Sequence, residues 1–130
     1  MKYLGIDYGK KKIGLALSEG LTASPFKTLT VSSLKDAVNQ ILQVIKKEEV
    51  GKIIIGIPES GEALKITKNF IQELKNITPL RCDIVEVEET LSSYSAKHDM
   101  LDLGFSKKDR QKEDAYSAMI ILQDYLDSIK

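Results

Sequence analysis

Apolar and polar positions alternate from the start of the chain. Residues 3–7 read Tyr-Leu-Gly-Ile-Asp and residues 13–18 read Ile-Gly-Leu-Ala-Leu-Ser, with Tyr8, Gly9, Lys10, Lys11 and Lys12 between them. Two such period-two runs predict a β-hairpin that carries an acid, Asp7, at its rim. Strand geometry puts Tyr3, Gly5 and Asp7 on one face and Leu4 and Ile6 on the other. In the second run the small residues Gly14, Ala16 and Ser18 share a face, a floor that lets a helix or a ligand approach closely. A third run over residues 22–31 contains Pro25, which cannot donate to a central ladder and so belongs at the border of the sheet.

The period changes after Ser33. Leu34, Ala37, Val38, Ile41, Leu42 and Ile45 recur at helical spacing behind Ser33 and Asp36, a capping-box pair, and Gly51 is the expected stop. The run from Ile53 to Ile57 is continuous rather than alternating, as in a parallel strand covered on both faces. A helix over residues 62–75 follows, with Ala63, Ile66, Phe70, Ile71 and Leu74 as its stripe. Residues 82–88 read as another strand, ending on Glu88 and Glu89 as the first ended on Asp7. A weaker helix over 91–103 holds His98 and closes at Gly104; the last, over 112–128, buries Ala115, Ala118, Met119, Leu122, Leu126 and Ile129, with Asp114 in its first turn. The result is an α/β fold: a mixed five-stranded sheet, a three-strand antiparallel meander plus two parallel strands, flanked by helices.

Composition narrows the class. A chain of 130 residues with 42% hydrophobic and 29% charged positions reads as one globular domain, 1–130, too apolar for a disordered chain. Cys82 stands alone, which excludes an internal disulfide. No run approaches the roughly 18 apolar residues of a membrane span, and no apolar signal region opens the chain, so the expected compartment is the cytoplasm and no membrane partner is expected. The formal net charge of +0 gives no molecule-wide attraction for nucleic acid. Two local clusters do better: Lys10, Lys11 and Lys12 beside Asp7, and Lys107, Lys108, Arg110 and Lys112 before the last helix. Solvated loops are their ordinary reading, phosphate contact the functional one.

Parallel strands joined by right-handed crossovers end along one edge of a sheet, which Asp7 and the Glu88/Glu89 pair would share. A last helix that starts there brings Asp114 to the same place. Singly, Asp7 is an ordinary turn former and Asp114 an acid favoured by the helix dipole. Together the acids repel unless a cation joins them, and hard oxygen donors suit Mg²⁺ or Mn²⁺. His98 has no visible partner and reads as an exposed structural residue.

Four stretches in this order resemble the YqgF family: Leu4-Gly5-Ile6-Asp7-Tyr8-Gly9 with Ile13-Gly14-Leu15-Ala16; Ile55-Gly56-Ile57-Pro58; Glu88-Glu89-Thr90-Leu91-Ser92-Ser93; and Asp114-Ala115-Tyr116-Ser117-Ala118-Met119-Ile120-Ile121-Leu122-Gln123. The resemblance covers nearly the whole chain. It implies a ribonuclease H-like nuclease linked to maturation of precursor 16S ribosomal RNA during ribosome biogenesis and to Holliday-junction resolution. Carried over by position, Asp7, Glu89 and Asp114 are the catalytic acids and metal ligands for Mg²⁺ or Mn²⁺, with Glu88 beside Glu89 as a further catalytic candidate. Lys10, Lys11, Lys12 and the basic loop would grip phosphates. The family's middle motif usually reads Asp-Glu-Arg-Leu-Thr-Thr; here Glu88 replaces its Asp and Thr90 its Arg, removing a bidentate phosphate clamp. The family's Arg before Ile-Gly is Lys12 here.

The implied partner is nucleic acid, precursor rRNA first and branched DNA second, with either a monomer or a homodimer compatible. Two rivals stand beside this reading. The Gly-Ile-Asp hairpin also resembles the phosphate-binding hairpin of the actin and sugar-kinase superfamily, which needs two such domains to enclose ATP. A non-catalytic RNA-binding module with a degenerate nuclease fold would account for Thr90, although it would gain nothing from a cluster of acids.

Overall fold

The computed structural model describes residues 2–77, 82–88 and 113–129. Within them the order is β1 (Lys2–Tyr8), β2 (Lys12–Glu19), β3 (Thr22–Thr30), α1 (Leu34–Glu48), β4 (Val50–Ile57), α2 (Gly61–Lys75), β5 (Asp83–Glu88) and α3 (Glu113–Ser128). The strands form one five-stranded sheet in the order β3-β2-β1-β4-β5. The β1–β2 and β2–β3 pairs are antiparallel, whereas β1–β4 and β4–β5 are parallel. The meander, the two parallel strands and the border position of β3 are those the pattern predicts. The predicted helix over 91–103, with His98 and Gly104, lies outside the described residues.

Alternation sorts the two faces. Leu4, Ile6, Ile13, Leu15, Ile53 and Ile55 pack with Ala37, Val38, Ile41 and Val44 of α1 and Phe70, Ile71 and Leu74 of α2. On the other face Ala16 and Ile54 meet Ala118, Ile121, Leu122 and Leu126 of α3. Ile53, Ile54 and Ile55 are all fully buried, which is why β4 has no polar alternate positions. Pro25 sits where the β2–β3 register shifts between Leu15 and Ala16, so the border strand absorbs the missing N–H as a bulge.

Three helix ends differ from the sequence expectation. Ser33 accepts the Asp36 N–H as predicted, but α1 stops at Glu49, which takes the left-handed conformation (φ 55°), and Gly51 already belongs to β4. In α2 Ala63 is exposed and Thr67 is buried instead, its hydroxyl donating to the Ala63 carbonyl at 2.7 Å. Just beyond the end of α3, Ile129 is 48% exposed rather than part of the buried stripe. Among the described residues no helix is long and apolar enough to cross a membrane.

Candidate functional site

Asp7 is the penultimate residue of β1 and is buried to 9% exposure. It pairs with Gly14 of β2, so both face the α3 side together with Gly5 and Ala16. The backbone of α3 comes down onto that floor. A Cβ at Gly14 would overlap the carbonyl group of Asp114, and one at Gly5 would lie 2.7 Å from Leu122 Cβ and 2.8 Å from the Ala118 oxygen. Two absent side chains therefore fix the distance between hairpin and helix. They also place the first turn of α3, with half-buried Asp114, beside the pair that contains Asp7.

The opposite end of α3 is held by Gln123. Its carboxamide oxygen accepts the Ala23 N–H at 2.9 Å and its nitrogen donates to the Leu21 carbonyl at 3.0 Å, bridging the helix to the β2–β3 turn. Tyr125 stands edge-on to Tyr3 at 6.3 Å between centroids, and its hydroxyl lies 3.3 Å from Lys52 Nζ. In the sequence Gln123 shows only as the end of the fourth family-like stretch, at the margin of the predicted stripe; which backbone it meets is a property of the packing alone.

The acidic pair at the end of β5 divides. Glu88 pairs with Ile57 and is exposed. It has the parity of Ile84, which packs on the α1/α2 core, and of Glu86, whose carboxylate accepts a hydrogen bond from Lys68 of α2 at 2.7 Å. Val85 and Val87 pack instead on the α3 side. Glu88 thus lies on the face away from Asp7 and two strands over, about 10 Å across the sheet. Glu89, Lys107, Lys108, Arg110 and Lys112 lie outside the described residues.

The lysine triplet divides as well. Lys10 forms an exposed ion pair with Glu62 at the start of α2, 3.5 Å long. The Lys11 carbonyl accepts the Val31 N–H at 2.9 Å and ties the hairpin turn to the end of β3. Lys12, opposite Thr30 and exposed, has the parity of Gly14 and therefore projects from the Asp7 face.

Two carboxylates drawn from β1 and α3 to one rim are donors of the kind that Mg²⁺ and Mn²⁺ take. Among the described residues no three His, Cys, Asp or Glu side chains converge. Asp7 and Asp114 are the two described carboxylates at this rim.

With that geometry in view, residues 1–128 match the family model described as RuvX: Holliday junction resolvase. The chain belongs to the RuvX family. Proteins carrying the curated name "Putative pre-16S rRNA nuclease" are similar over almost the full length. That of Sulfurihydrogenibium sp. (strain YO3AOP1) is 36% identical over 98% of this chain and 91% of its own, and that of Bacteroides thetaiotaomicron is 37% identical over 98% and 96%. Among solved structures, the fowlpox virus resolvase in complex with Holliday junction DNA aligns with a TM-score of 0.67 at 11% identity, covering 99% of each chain. T. thermophilus RuvC in complex with a Holliday junction substrate aligns at 0.58 and 17% identity, covering 99% of this chain and 95% of RuvC. These two likenesses are of fold, and they make the RuvX chain ribonuclease H-like, as the YqgF resemblance implies.

Proposed function

We propose that this RuvX chain cleaves precursor 16S rRNA near its 5′ end, at the rim where Asp7 and Asp114 meet, using a divalent cation. As a member of a nuclease family the protein is a phosphodiester hydrolase. The observation that carries the site is the contact at Gly14: a position without a side chain admits the Asp114 backbone directly beside the partner of Asp7. Of the acidic pair Glu88/Glu89, Glu88 lies on the face away from Asp7, and Glu89, the position that matches the family's Glu, is the third ligand in this reading.

Bound Mg²⁺ or Mn²⁺ would supply charge stabilisation to the phosphate and lower the pKa of an attacking water. The chain's own residues do the rest. Asp7, Glu89 and Asp114 would hold the cation; Lys12 positions a backbone phosphate on the same face, and the basic residues Lys107, Lys108, Arg110 and Lys112 extend that grip without reading sequence. The reading takes residues 1–130 as one domain working in the cytoplasm. Junction DNA is the second candidate substrate, favoured by the description of the matching family model.

The test is cleavage of a labelled precursor-rRNA fragment and of a four-way DNA junction, each with Mg²⁺, Mn²⁺ or EDTA. RNA cut only with metal is the expected result. Junction cutting alone moves the substrate to DNA, and cutting undiminished in EDTA removes the metal from the reading.

A further inference from the structure

A cleft of about 280 Å³ opens on the face of the sheet away from Asp7, between the end of β1, the start of α1 and the side of α2. It falls just short of the roughly 300–1,000 Å³ typical of small-molecule sites, a size suited to one base and its sugar. Its walls are Tyr8, Ser33, Leu34, Ile66 and Asn69, with Lys10 among the lining residues. Tyr8 is backed by Phe70, whose buried ring stacks on it at 4.3 Å between centroids and 12° between planes. A phosphate does not suit this place. The Asp36 carboxylate already takes the Ser32 N–H at 2.9 Å and the Ser32 hydroxyl at 3.2 Å, and Ser33 Oγ is used by the Asp36 N–H. The start of α1 therefore carries its own anion. No carboxylate lines the cleft, and within the described residues neither the Asn69 carboxamide nor the Tyr8 hydroxyl makes a hydrogen bond. An aromatic wall with two unused neutral polar groups matches the flat face and polar edge of a nucleobase.

Tyr8 directly follows Asp7 in β1, so the two side chains leave the same rim on opposite faces. A nucleic acid strand that crosses the rim with a phosphate at Asp7 has a neighbouring base within reach of Tyr8. We infer that the cleft receives one unpaired base of the strand being cut, stacked on Tyr8 and hydrogen-bonded by Asn69. This inference rests on the nuclease reading of the Asp7 rim, and it makes Tyr8 and Asn69 positioning residues for that reaction.

The probe is a single-stranded RNA oligonucleotide with 2-aminopurine at successive positions, mixed with the full chain in EDTA and followed by fluorescence and anisotropy. Quenching at one position is expected. Tyr8→Leu, which keeps an apolar contact to Phe70, should lose that quench and bind on the order of tenfold more weakly, as loss of one stacked base does. Tyr8→Phe should retain the quench. Asn69→Trp, on the exposed surface of α2, fills the cleft and should abolish quenching even if Tyr8→Leu fails to fold. Wild-type protein that quenches at no position overturns the inference, as does either disabling variant quenching like wild type. Asp7→Asn separates the two readings. Quench kept with metal-dependent cleavage lost upholds both, whereas quench kept with cleavage intact leaves the cleft and removes the Asp7 site.

Discussion

Replacing Asp7 with asparagine keeps the shape of a nearly buried side chain and removes its charge, so it isolates what the carboxylate does. If Asp7 holds the cation as proposed, cleavage falls on the order of 100-fold or more in this variant, while the fold and RNA binding persist. Equal binding by wild type and Asp7→Asn, measured by anisotropy beside the cleavage assay, is the result to look for. Other carboxylates act on the fold instead. The Ser32 backbone N–H, then Gln40, holds the exposed Asp36 below the usual range, and the Lys68 ammonium does the same for Glu86. Both groups have folded-state values below their unfolded ones. Their stabilisation is therefore complete above the unfolded carboxylate range near pH 4 and is lost as pH falls through the lowered values. Thermal melts should be flat in this contribution from pH 7 to about 5 and decline below about 4. Asp36→Asn and Glu86→Gln should each make that acid decline shallower; an unchanged slope in both would remove these pairs as its source.

At the scale of elements, the contact between α3 and the β1–β2 hairpin holds the candidate site together, and glycine sets its closeness. Gly5→Ala puts a methyl 2.7 Å from Leu122 Cβ and 2.8 Å from the Ala118 oxygen, so the helix must shift or the protein loses about 1–3 kcal/mol, as overpacked interiors do. Gly14→Ala meets the Asp114 backbone itself. Its expected signature is a loss of cleavage out of proportion to the fall in Tm, since the displaced turn carries a candidate ligand; Gly5→Ala should lose mainly Tm. Much of this was legible beforehand. Gly5, Gly14 and Ala16 announce a close approach by their size and parity, and the continuous Ile53–Ile55 run announces a doubly covered strand. What comes close is not written in the small residues, nor is the division of Glu88 and Lys10 onto one face and Asp7 and Lys12 onto the other. Adjacent acids or lysines look alike in a sequence, and only the register of the strand tells them apart. The stop of α1 at Glu49 rather than Gly51 was hidden for another reason: the left-handed turn falls on a glutamate, a residue type that does not mark it.

The whole molecule is a sheet whose two faces serve different ends, an aliphatic core under α1 and α2 and a thinner, glycine-lined contact under α3 that reaches the rim at Asp7. Its formal charge is +0, so no general field draws an anionic polymer to it. In the proposed reading the electrostatic part of the affinity for RNA then comes from a few cations placed at the right edge, and the salt dependence of binding counts them. Each phosphate neutralised on a single strand contributes a slope of about −0.7 in log K against log salt. Lys12 projects from the Asp7 face, and the structure gives it no ion pair among the described residues, whereas Lys10 is shared with Glu62 at 3.5 Å. Lys12→Ala should therefore flatten the slope by about 0.7, the value for one phosphate contact. Lys10→Ala releases Glu62 along with the lost cation and should weaken binding through the repulsion of that acid, with a smaller change in slope. Binding isotherms in EDTA across a series of salt concentrations distinguish the two. A slope that responds to Lys10 and not to Lys12 would place the nucleic acid on the α2 side of the rim, and the path of the strand past Asp7 would have to be redrawn.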